Sequence, residues 1–199
     1  MSLLHFLNCH KPTCLLLVVF LTVNCQDSIY KKTYLKEMRK TQRLDSLLFD
    51  ISFGNKKDDY LDKLWMLNKE KKIKPASETY GWVSYDLKVQ PESVSPSDIE
   101  FRFIGNFNQT SNLNRINMKF TFKGWAPWNQ QYQSHVLIDQ ILDSILNWYG
   151  GNSFFRFDQV NDTLPAYFKI DANRQFKIFI DDDQFVGGEI TDLKSKTPQ

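Results

Sequence analysis

Past Cys25 the chain holds a single histidine, His135, and it stands four residues before Asp139. An imidazole and a carboxylate one helical turn apart can share a metal or act as a base and its orienter. With no second histidine and no cysteine in the body, a zinc site lacks ligands, and a solvated pair on a wet helix face is the expectation. Asp181-Asp182-Asp183 offers the oxygens calcium takes, about six to eight at a time. The run lies between two apolar stretches without a spaced acidic loop around it, which is how aspartates make turns. Asp158, Asp171 and the same run are the carboxylates that an acid–base hydrolase would use. No glycine-rich phosphate loop, nucleophile elbow or zinc-protease helix is present. No catalytic residue, no metal site and no cofactor is expected.

Binding chemistry is better represented. Trp125 and Trp128 flank Ala126-Pro127 in a break between two periodic segments. They form either an exposed platform for a protein, peptide or glycan, or a plug under the loop with Pro127 setting the start of the next helix. Trp82 and Tyr80, opposite the apolar face of their strand, make a second candidate patch.

These residues need elements to hold them. Ile116, Met118, Phe120 and Phe122 alternate with Asn117, Lys119, Thr121 and Lys123, so a strand with one buried face is expected over 116–123. From Tyr132 the apolar residues take helical spacing through Val136, Ile141, Ile145 and Trp148, and Gly150-Gly151 stops the helix. Earlier, Leu47 to Phe53 fits a strand, and Asn55 is placed to cap a helix bearing Tyr60, Leu61, Leu64, Trp65 and Leu67 and ending at Pro75. Strands follow over 79–88 and 99–103. Behind the second helix, short strands and turns recur from Phe154 to Ile190. The expected fold is α+β, amphipathic helices packed on antiparallel sheet, either as one unit or as two tandem helix-then-strands units over 44–123 and 124–195 of a domain spanning 44–195.

Composition places the chain among ordered globular proteins: 199 residues, 16 phenylalanines, an aromatic share of 15% and a net charge of +2. That charge is too small to imply nucleic acid. All three cysteines fall in the first 25 residues, so the body has no disulfide and no thiolate ligand. Leu15 to Val23 is an apolar run far short of the ~20 residues that span a bilayer, and it matches a secretory signal over residues 1–24. Plain secretory cleavage and a retained anchor are the alternatives to the lipid attachment described next. Residues 25–43 are polar and basic and read as a tether. A solvated spacer is the plainer account of it, and a helix lying along anionic headgroups the other.

Thr22-Val23-Asn24-Cys25 resembles a bacterial lipobox, with Thr22 where leucine is usual and Asn24 where a small residue is usual. The resemblance implies that Cys25 is lipidated and holds the protein at a membrane. Phe53-Gly54-Asn55-Lys56-Lys57 and Trp125-Ala126-Pro127-Trp128-Asn129 resemble a family of uncharacterised bacterial exported proteins. The arrangement of elements is similar to envelope modules of the BamE and β-lactamase-inhibitor-protein kind. These resemblances imply a non-catalytic lipoprotein of the cell envelope that binds an unknown protein or surface ligand. An exported hydrolase using carboxylates is the competing expectation.

Overall fold

Phe103, Phe101 and Phe120 stack ring on ring, 5.3 and 4.8 Å between successive centroids, at the centre of the core. The computed structural model that shows this describes residues 29–76, 80–88, 97–157 and 165–195. The expected signal segment, Cys25 and Asp158 lie outside the described residues. Strands β1 (Lys74–Pro75), β2 (Val83–Leu87), β3 (Ile99–Phe107) and β4 (Leu113–Phe122) form an antiparallel meander. A second meander is made by β5 (Phe155–Phe157), β6 (Ala166–Asp171), β7 (Arg174–Ile180) and β8 (Val186–Asp192). The meanders join through their last strands, Met118 opposite Gly188, giving one eight-stranded sheet in the order β1-β2-β3-β4-β8-β7-β6-β5. The fold is therefore α+β, helices packed on antiparallel sheet, as expected.

Three helices lie against this sheet: α1 (Ile29–Met38), α2 (Lys57–Lys69) and α3 (Ser134–Tyr149). A helix precedes each meander, so both halves run through the same order of elements. α3 buries Leu137, Ile138, Ile141 and Ile145, and α2 buries Tyr60, Leu64 and Leu67. Ile116, Met118, Phe120 and Phe122 all point into the core, as their period of two requires. At Gly105 a Cβ would come within 2.8 Å of the Tyr60 ring, so glycine is what lets α2 sit this close to β3. The Gly105 amide donates to the Tyr60 hydroxyl at 2.9 Å. Burial pushes that phenol up to about 12, against the pull of the amide.

Several expectations are corrected. Leu47 to Phe53 is not a strand. It folds back on itself through a short 3-10 turn with Phe49 at φ 55° and Asp50 at φ 56°, and Leu47 N–H donates to Ile51 O at 2.8 Å. Leu47, Ile51 and Phe53 still reach the core, so burial satisfies the alternation without a neighbouring strand. Asn55 does not cap α2; its Oδ1 takes the Ser52 amide at 2.6 Å. Leu61 and Trp65 are exposed because α2 turns only its Tyr60–Leu64–Leu67 stripe inward. α2 stops at Lys69, with Lys71 left-handed at φ 59°, and Pro75 instead lies in β1. α3 begins at Ser134 after a 3-10 turn at Gln130–Tyr132, and Trp148 sits at its edge, 43% exposed.

The segment expected as a tether is, from Ile29 on, a helix laid on the sheet. Tyr30 enters a ring of Phe155, Phe157 and Phe168 at 5.2–6.4 Å between centroids, and its hydroxyl donates to Gln175 at 2.8 Å. Glu37 is fully buried, taking the Ala172 amide at 2.8 Å and pairing with Lys40 at 2.6 Å. Beyond it, Arg43 bridges Asp45 and Asp192, and the Leu44 amide donates to Asn173.

Candidate functional site

The strand-to-helix junction between β4 and α3 divides its two tryptophans. Trp125 folds inward, half-buried against the core, and its Nε1 donates to Gln133 Oε1 at 3.3 Å. Trp128 points outward and is 84% exposed. One tryptophan is thus the plug and the other the platform.

The loop between them is held by Gln133, itself buried. Its Nε2 donates to the carbonyls of Ala126 at 3.0 Å, Asn129 at 3.1 Å and Pro127 at 3.4 Å. The Asn129 amide closes a turn onto Ala126 O at 2.9 Å, and Tyr132 packs on Phe122 at 5.3 Å. Residues 126–129 are therefore fixed from beneath. Trp128 is presented on a built loop, which lowers the ordering cost of any contact it makes. Gln133 went unrecognised in the sequence because nothing in its neighbours' periodicity marks a side chain that bonds backward to a loop.

Tyr80 is fully exposed and Trp82 half-buried, with Gly81 between them at φ +82°. Both precede β2 rather than lying on its outer face. The Trp82 carbonyl accepts from the Ala76 amide at 2.9 Å, which ties this turn to the end of β1.

The side chains proposed for proton or metal chemistry are dispersed. His135 and Asp139 are exposed at the start of α3. Asp182 Oδ1 receives the Gln184 and Phe185 amides at 2.8 and 2.7 Å, and Asp181 pairs with Lys119 at 2.7 Å. The backbone carbonyls of Asp182 and Asp183 accept from Ser134, so the aspartate run is a turn that seats the first residue of α3. Among the described residues no cluster of three or more metal-type side chains occurs.

Asp171 is buried in an ion pair with Lys169, also buried, and accepts the Asn152 amide at 2.8 Å. Burial pulls the Lys169 ammonium below its ordinary value, with Asp171 opposing. Burial likewise lowers the Arg174 guanidinium, which lies 4.5 Å over the Tyr149 ring, and raises the Tyr149 phenol. Tyr167, Lys169 and Asp171 share one face of β6, so period two was the available signal, but polar tips at that spacing do not by themselves mark a buried face.

One open groove of about 450 Å³ lies between Phe49, Met66, Leu67 and Tyr85, rimmed by Lys63 and Lys72. Its rim charges are matched: Lys63 faces Asp50 at 3.5 Å and Lys72 faces Glu70 at 2.8 Å. The chain matches no protein-family model, no curated protein and no solved structure.

Proposed function

We propose that the protein is a non-catalytic lipoprotein of the cell envelope, held to a membrane through Cys25, which binds another protein or a surface ligand through Trp128. What carries the reading is a large aromatic side chain standing in solvent on a loop that Gln133 holds rigid. A tryptophan left in water forgoes roughly 1.5–3 kcal/mol of burial, and interfaces concentrate their energy in such residues. The catalytic alternative has less support: Asp171 and Asp182 are each committed to structural bonds, and His135 stands exposed on α3.

The test compares what envelope membranes yield to wild-type protein and to three variants. Trp128→Ala should fold normally by circular dichroism, since the ring makes little internal contact, and should lose the specific partner by about tenfold or more. His135→Ala and Asp182→Ala should capture it as wild type does. A Trp128→Ala variant that binds normally, beside a His135→Ala variant that abolishes hydrolysis, would replace the binder with an enzyme. Membrane attachment is tested separately: Cys25→Ser should leave the precursor unprocessed or release the protein from membranes, and intact mass should show lipid on Cys25.

A further inference from the structure

The docking of α1 sorts its charges. Its one carboxylate, Glu37, is turned inward and neutralised by Lys40 and the Ala172 amide. Ile29, Lys32, Leu35 and Lys36, with Arg39 just past the last turn, fall on one side of the helix at i, i+3, i+6, i+7 and i+10. All five are exposed, Ile29 by 55% and Leu35 by 43%. The outward face is therefore cationic with two apolar residues set among the cations, and it carries no acid. A tether free in solution would have no such face, because Glu37 would then be as available to water as the lysines.

We infer that this face of α1 is a docking surface for an anionic lipid bilayer. Lysine and arginine heads match anionic headgroups while Ile29 and Leu35 enter the acyl boundary, which is how interfacial helices bind. The inference builds on the membrane attachment read at Cys25: three residues lie between Cys25 and Ile29, so four steps of chain give a reach of roughly 14 Å at full extension. A lipid on Cys25 leaves α1 nowhere to be but near the surface. Because Tyr30 and Glu37 fasten α1 to β5–β7 and the turn at Ala172, the bilayer would orient the whole domain through this helix rather than let it swing.

The experiment uses the full chain with Cys25→Ser, mixed with vesicles of phosphatidylcholine, with or without phosphatidylglycerol. The readout is the ratio of anionic to neutral partitioning. Lys32→Gln, Lys36→Gln and Arg39→Gln together should reduce that ratio by about fivefold per charge, roughly a hundredfold in all. Raising the salt to about 0.5 M should do the same to the parent. The control triple Lys69→Gln, Lys71→Gln, Lys72→Gln removes as much charge elsewhere and should shift the ratio by less than about twofold, since it lies outside the contact. An unchanged ratio in the α1 triple overturns the inference, and so does an equal loss in the control. Intact mass at Cys25 is read independently, so an unlipidated cysteine would refute the anchor without touching this result.

Discussion

Gln133 spends its amide on three loop carbonyls and its oxygen on Trp125, and no other side chain in the described junction reaches them all. Gln133→Ala should cost about 1–3 kcal/mol in urea unfolding, because half-buried loop carbonyls lose their donor, and should weaken partner binding although Trp128 is untouched. The buried pair in β6 follows the same logic with charge. Asp171→Ala strands the Lys169 ammonium and should cost about 3–5 kcal/mol, whereas Lys169→Met with Asp171→Leu should recover most of that loss. Glu37 gives a pH signature. Burial raises its pKa, but Lys40, the Ala172 amide and Asn152 outweigh that and hold the carboxyl below its ordinary 4.5. The unfolded chain therefore takes up the proton first, so this stabilisation is whole above pH 4.5 and fades as pH falls through the lower folded value. The melting-temperature advantage of wild type over Glu37→Gln should shrink across that acid window. Of Gln133, Lys169, Asp171 and Glu37, only Asp171 stood out in the sequence, and as a hydrolytic carboxylate rather than as the buried partner of Lys169. A buried polar group is identified by its partners, and those lie in other parts of the chain.

Among elements, β4 and α3 were the most legible and the 47–53 segment the least. β4 alternates over its whole inward face, and the Ile141–Ile145 centre of α3 survives in the folded protein. Trp148 was misplaced because a residue three positions past Ile145 borders the stripe, and its neighbours decide which side it takes. Ile145→Asp should therefore prevent folding. Asp143→Ala should stay within about 0.5 kcal/mol, and Trp148→Ala should lose far less than the ~3–5 kcal/mol of a fully buried tryptophan. Thermal melts of the three variants give the ranking directly. The 47–53 segment shows why a short apolar run is ambiguous: a chain can bury Leu47, Ile51 and Phe53 by curling over a core, with no strand of the sheet alongside.

At the scale of the molecule, the two helix-then-strands units were visible in order but not in how they meet. The joining pair, β4 with β8, links residues some seventy positions apart, as in Met118 opposite Gly188, and no local pattern encodes that. Since the sheet runs unbroken through this seam, one cooperative transition should be seen by circular dichroism and by tryptophan fluorescence alike. Coincident midpoints are the check. Residues 124–195 expressed alone should aggregate or stay unfolded, since β8 would then offer a bare edge where β4 belongs.

The place of β8 between β4 and β7 also sets a clock. Val186–Asp192 is the last of these eight strands in chain order and one of the two central strands of the finished sheet. Until it arrives, β4 and β7 each keep an open edge, and the two phenylalanine-rich meanders exist as separate, sticky halves.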